Sequence, residues 1–194
     1  MQRAINIRGT SGCGKSHLVK QIMREFPVKK PHKIKFRKQP IGYTLERPDG
    51  DPLYIVGHYE EDCGGCDTII GLDAIYDEIE AAIIDLEMDV IFEGLIVCSD
   101  VERCISLKDI SNLLVIELDT PLPECISNIE ERRYVRGDNR PVNPRHTIAK
   151  MDQLVPQRKK FLNAGVDFRL LDYRWALEDV REFLGIKSHA KANK

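Results

Sequence analysis

Two rhythms of apolar residues alternate along this chain. Short β-prone runs read as strands: Ala4-Ile5-Asn6-Ile7-Arg8; Asp89-Val90-Ile91-Phe92-Glu93-Gly94, a buried strand ending in an acid and a glycine; Leu113 to Leu118, continuously apolar as in a parallel sheet covered on both faces; and Val166 to Leu171, the last strand. Between them the apolar positions recur at helical spacing. Leu18, Val19, Ile22 and Met23 share one face of a helix that begins at Ser16 and stops near Phe26-Pro27, and Ile75, Ile79, Ala82, Ile83 and Leu86 do so over 69–86. Ile41 to Glu46 and Leu53 to His58 predict a hairpin, joined by the turn chemistry of Arg47-Pro48-Asp49-Gly50-Asp51-Pro52. Asp119-Thr120-Pro121 starts a helix over about 122–133, a polar loop runs from Tyr134 to Pro144, and a helix of mixed charge continues to Asn163-Ala164-Gly165. The last helix is Trp175 to Leu184. Strands alternating with helices predict an α/β three-layer sandwich on a mostly parallel sheet, with its ligand at the carboxyl ends of the strands. The expected organisation is one domain over 1–187, with a hairpin insertion at about 33–60, an arginine-rich segment at about 132–145 and a short basic tail over 188–194.

Composition narrows the class without choosing within it. The chain has 194 residues, 42% of them hydrophobic, and no apolar run nears the roughly 20 residues of a membrane helix. With a strand beginning almost at Met1, a cytoplasmic protein without a secretory leader is expected. Net charge is −2, so contact with nucleic acid would have to come from a local basic patch, and Lys29 to Lys38 supplies one. A lysine-rich strand edge that discourages pairing is the other reading of that stretch. The six cysteines are expected as thiols, and Cys63-Gly64-Gly65-Cys66 reads as a tight loop, since no further ligands complete a zinc site.

The chemistry begins directly after the first strand. Gly9-Thr10-Ser11-Gly12-Cys13-Gly14-Lys15-Ser16 matches the phosphate-binding pattern G-x-x-x-x-G-K-[ST] in the context it requires, strand then loop then helix, with His17 following in the first helical turn. Glycines there let successive amides point at an anion, and the helix start adds its unpaired N–H groups. A nucleoside triphosphate such as ATP is the expected ligand, with Lys15 on the β and γ phosphates and Ser16 on Mg²⁺. Glu93, emerging at the end of a buried strand, is the expected second metal-side group. Asp67 has two readings, a helix cap and a general base for an acceptor hydroxyl, and Asp100 is the alternative base. Tyr43, His58 and Tyr59 are core residues or contacts to an aromatic acceptor, and Tyr173-Arg174-Trp175 lies where an adenine could rest, with Trp175 as an anchor of the last helix the other reading.

Taken together, Gly9 to Ser16, the 89–94 strand and Glu131-Arg132-Arg133-Tyr134-Val135-Arg136-Gly137 resemble the P-loop kinase superfamily of nucleotide and small-molecule kinases. That resemblance implies a mobile lid in which Arg133 and Arg136 clamp the transferring phosphoryl group. More narrowly, Gly57-His58-Tyr59, Cys63 to Ile69, Phe92-Glu93-Gly94 and Arg132-Arg133-Tyr134 are similar to the bacteriophage 5-hydroxymethyluracil DNA kinases of DNA base hypermodification. The narrower resemblance implies phosphorylation of a hydroxymethyl group on a pyrimidine in DNA. Two other functions remain open at this level: a kinase of a free nucleotide or small metabolite, and an NTP-hydrolysing switch with no acceptor.

Overall fold

The computed structural model describes residues 1–35, 37–46, 50–61 and 64–186. Seven strands form one sheet: β1 (Arg3–Arg8), β2 (Val28–His32), β3 (Gly42–Glu46), β4 (Leu53–Val56), β5 (Asp89–Glu93), β6 (Asn112–Leu118) and β7 (Asp167–Leu171), in the spatial order β2-β3-β4-β5-β1-β6-β7. β4, β5, β1, β6 and β7 run parallel, while β3 is antiparallel to both β2 and β4. Among the described residues the α-helices are α1 (Lys15–Arg24), α2 (Leu72–Ile84), α3 (Val101–Ser106), α4 (Leu122–Val135), α5 (Arg145–Asn163) and α6 (Ala176–Leu184). This is the α/β sandwich expected from the alternating pattern.

The alternation of side chains along the strands builds two cores. Ile5, Ile7, Ile91, Leu114 and Ile116 turn to one face and pack on Leu18, Val19 and Ile22 of α1 and Val180 of α6. Val90, Phe92 and Val115 turn to the other face and meet Ile75, Ile79 and Ile83 of α2, Cys104 of α3 and Phe161 of α5. Fully burying each of these larger side chains contributes on the order of 1.5–3 kcal/mol, so the central strands are fixed in register by both faces at once. No helix among the described residues is long and apolar enough to cross a membrane.

Four details depart from the sequence pattern. The helix expected over 69–86 is α2 over Leu72–Ile84, because Gly71 at φ 95 breaks it from a separate 3₁₀ turn at Cys66–Thr68. α4 continues to Val135, two residues beyond the expected end. α3 and β2 carry no clear sequence signal: α3 has six residues, and β2 is the polar string Val28-Lys29-Lys30-Pro31-His32 at the sheet edge, where a proline is tolerated. Arg47 to Asp49 of the turn expected over Arg47 to Pro52, Cys63 of the C-x-x-C pair and the tail over 188–194 lie outside the described residues.

Candidate active site

β1 ends in the glycine loop at the carboxyl edge of the sheet, and the loop is shaped from behind. Gly9 (φ 142), Gly12 (φ 81) and Gly14 (φ 101) hold conformations that residues with side chains rarely adopt. A Cβ on Gly12 would lie 2.2 Å from the carbonyl oxygen of Cys125, so α4 presses directly against the loop. Its carbonyls are engaged from outside: Asn128 Nδ2 donates to Gly12 at 2.8 Å, and Thr120 Oγ donates to Cys13 at 2.8 Å. Lys15 Nζ donates to the carbonyls of Gly9 and Thr10 at 3.0 and 2.9 Å. No side chain caps α1, so the first-turn amides of Lys15, Ser16 and His17 stay open toward the same space. With the carbonyls of Gly9, Thr10, Gly12 and Cys13 engaged in this way, and the Cys13 amide turned to the Thr10 carbonyl at 3.5 Å, the open first-turn amides give the concave side the form of a nest that fits an anion.

That nest forms one wall of a cleft of about 660 Å³, a volume suited to a ligand of nucleotide size. Ser11, Gly12, Gly14, Lys15, Ser16 and the exposed His17 line it, while the buried Thr10 and Cys13 supply backbone and Gly9 forms the hinge into the loop. Lys15 is buried, which works against its charge. Cys13, Cys98, Glu93 and Asp67 around it outweigh that penalty and hold its pKa above the usual lysine value.

Glu93 ends β5 opposite Ile7 in the sheet register, which carries its carboxylate beside the loop. Ser16 Oγ donates to Glu93 Oε1 at 2.7 Å. Burial pushes the Glu93 carboxyl above the ordinary glutamate range, against the pull of Lys15 and Ser16. Underneath, the buried Tyr59 hydroxyl faces Glu93, and burial together with that carboxylate pushes its pKa well above the ordinary tyrosine value. A hydroxyl and a carboxylate brought together in an anion nest fit a Mg²⁺ ion that takes its remaining ligands from phosphates and water. Among the described residues no three His, Cys, Asp or Glu side chains cluster as a self-sufficient metal site.

Asp67 stands in the opposite wall, in the 3₁₀ turn Cys66–Thr68, and its side chain is open to the cleft. It does not cap α2, whose N-cap is Gly71 without a side-chain bond. Instead its two carboxylate oxygens accept from the amides of Leu95 and Ile96, at 2.8 and 2.9 Å, fastening the turn that follows β5. The same turn is held by Arg8, fully buried at the end of β1, which donates to the Cys98 carbonyl at 2.5 Å and to Gln157 Oε1 at 2.6 Å. Lys150 of α5 adds a third tie, donating to Ser99 Oγ at 2.8 Å. Asp100 is placed elsewhere: it caps α3 through the Arg103 amide at 3.0 Å and lies outside the cleft walls.

The arginines divide. Arg132, on the last turn of α4, lines the cleft; Arg133 is half-buried on the same turn and Arg136 follows the helix as its exposed C-cap, both outside the cleft lining. Arg140 is bound to Asp138 at 2.8 Å, and it holds that carboxyl below the usual aspartate range. Tyr173, rather than Trp175, forms the outer end of the cleft: its ring lies 3.5 Å from where a Cβ of Gly14 would stand, and its hydroxyl donates to Glu124. Trp175 is 69% exposed before α6. Tyr43, His58 and Tyr59 are buried, as core residues. Thr120, Asn128 and Tyr173 act on the loop from more than a hundred residues away, and nothing local marks Thr120 or Asn128.

No family model matches the chain. It is similar over 185 residues, at 38% identity, to a protein named 5-hmdU DNA kinase from Pseudomonas phage PaMx11, an alignment covering 94% of this chain and 97% of that one. A 5-hmdU DNA kinase from Pseudomonas phage M6 is 29% identical over 185 residues, 91% of this chain and 95% of the relative. A third protein of that name, from Delftia phage PhiW-14, is 43% identical over 67 residues, 34% of this chain and 23% of its own length.

Proposed function

The chain belongs to the family of 5-hmdU DNA kinases, and on that premise we propose that it moves the terminal phosphoryl group of ATP onto the 5-hydroxymethyl oxygen of hydroxymethyluracil in DNA. The observation that carries this reading is the facing of two walls in one cleft, an amide nest with Lys15 on one side and the open carboxylate of Asp67 on the other.

The triphosphate lies in the nest, its charge met by main-chain N–H groups and by Lys15. Ser16 and Glu93 would hold Mg²⁺, which when bound neutralises charge that develops between the β and γ phosphates. A primary alcohol entering beside Asp67 hydrogen-bonds to its carboxylate, which takes the proton as the oxygen attacks phosphorus. The P–O bond to ADP breaks as the new phosphomonoester forms. Arg132 meets the charge on the transferring group from α4, and Arg133 and Arg136, with the 136–144 loop, close over it as a lid. Because the acceptor is a base, it must leave the stack of a duplex to reach the cleft. Single-stranded acceptors avoid that cost.

The test is a competition among acceptors. Incubated with γ-labelled ATP and Mg²⁺, the protein is expected to label DNA containing hydroxymethyluracil and to leave unmodified DNA and a panel of nucleoside monophosphates unlabelled. Label confined to a monophosphate would replace the DNA acceptor with a free nucleotide, and phosphate release without any labelled acceptor would make the protein an NTP hydrolase.

A further inference from the structure

The edge of the sheet beyond β3 carries lysines of two kinds. Lys29 and Lys30 lie on β2 itself beside Pro31, where charge and proline keep an unpaired strand edge from joining another. Lys30 is further occupied by Glu46, at 2.5 Å. Lys33, Lys35 and Lys38 come after the strand has ended, so they have no edge to protect.

Topology brings that second group to the cleft. β4 is parallel to β5 and β1, so its end at Val56 is on the same side of the sheet as the glycine loop. Val56 pairs with Gly42 at the start of β3, and Gly42 pairs with His32 at the end of β2. The 33–41 segment therefore leaves and re-enters the sheet at its functional edge. Its ends are closed by the Ile41 amide donating to the His32 carbonyl at 2.8 Å and the Gly57 amide donating to the Ile41 carbonyl at 2.7 Å.

Arg37 fixes the segment against the acceptor wall. Its guanidinium donates to the Gln39 carbonyl at 3.0 Å within the loop and to the Thr68 carbonyl at 2.8 Å across it, next to Asp67. Two acidic side chains stand nearby, Glu60, which accepts from the Tyr43 hydroxyl at 3.4 Å, and Glu61, which accepts from Gln39 Nε2 at 3.2 Å. Lys33, Lys35 and Lys38 are exposed, and Lys33 and Lys38 pair with no carboxylate among the described residues. Three ammonium groups on a loop anchored one residue from the candidate base match the charge of a polyanion whose reacting unit must enter that cleft.

We propose that the 33–41 loop is the DNA-binding rim of the acceptor side, with Lys33, Lys35 and Lys38 on phosphates that flank the base entering beside Asp67. This rests on the DNA-kinase reading and adds to it where the strand lies. The lysines give affinity and register without reading sequence.

The experiment compares wild type with the triple variant Lys33→Gln, Lys35→Gln, Lys38→Gln and with a control, Lys29→Gln, Lys30→Gln. Each is assayed for duplex binding by fluorescence anisotropy and for transfer to hydroxymethyluracil DNA over a range of salt. Each lost phosphate contact removes about 0.9 from the slope of log affinity against log salt, so the triple variant is expected to flatten it by about 2 to 3. Its KM for DNA should rise about ten-fold at moderate salt, with kcat at saturation and ATP affinity unchanged. The control should keep the wild-type slope. An unchanged slope in the triple variant, or an equal flattening in the control, overturns the proposal. Because duplex binding is measured without turnover, a wild type that binds DNA but phosphorylates none of it would defeat the kinase reading and leave the rim tested on its own.

Discussion

The two walls of the cleft are made of different material. The nucleotide side is main chain, eight consecutive residues of which the carbonyls of Gly9, Thr10, Gly12 and Cys13 are engaged by Lys15, Asn128 and Thr120 while the first-turn amides of α1 stay open. The acceptor side is side chain, assembled from the 66–68 turn, the end of β5 and the 94–99 turn, with Arg8 and Lys150 holding the last from beneath and beside. A triphosphate is recognised by groups every residue carries, once glycines permit the geometry. An acceptor alcohol needs a particular carboxylate in a particular place, and only tertiary packing can put it there. The first wall should therefore be sensitive to backbone changes and to its one cation, and the second to single functional groups.

Lys15→Ala tests that division with the largest effect, a loss on the order of 10³-fold in kcat/KM with the thermal transition preserved. If the variant keeps more than about a tenth of wild-type activity, the amide nest alone suffices for transfer and Lys15 loses its place. Asp67→Asn should lower kcat about 10²-fold while ATP affinity, read by calorimetry, stays as it was. Undiminished turnover would remove Asp67 from the chemistry and leave it as the clasp of the 94–99 turn. Gly12→Ala strikes the backbone wall itself, since its Cβ would meet the Cys125 carbonyl at 2.2 Å in a φ of 81. The expected result is an ATP affinity weakened about ten-fold and a stability lowered by about 1–3 kcal/mol in denaturant titration. Arg132→Ala should cost about five-fold in kcat, more than Arg136→Ala, because only the first lines the cleft. The reverse order in single-turnover rates would place the lid's working cation beyond the helix.

What could be seen in the sequence follows the same division. The glycine loop was legible because its determinants fall within eight residues and its context is the strand and helix on either side. Glu93 was legible because a buried strand must deliver its last residue to the sheet edge. Asp67 lies in the cleft wall, but the helix its place in the sequence suggests it caps begins at Leu72, and its partners are amides 28 and 29 residues away. Thr120 and Asn128 shape the loop from separations of 107 and 116 residues, for which single-sequence periodicity has no signal. The choice among the arginines is set by packing: Arg132 and Arg133 are consecutive on α4 and roughly 100° apart around it, and the way α4 sits against the glycine loop leaves Arg132 in the cleft wall. β2 was hidden because an exposed edge strand needs no apolar alternation.

The most direct test of the whole account is the position of the transferred phosphate. Hydroxymethyluracil DNA treated with γ-labelled ATP and this protein, then digested by nucleases without phosphatase to nucleotides and resolved by mass spectrometry, is expected to yield a phosphomonoester on the 5-hydroxymethyl oxygen, greatly reduced with the Asp67→Asn protein. Label recovered at the 5′ end of the strand, or on no nucleoside at all, would contradict it.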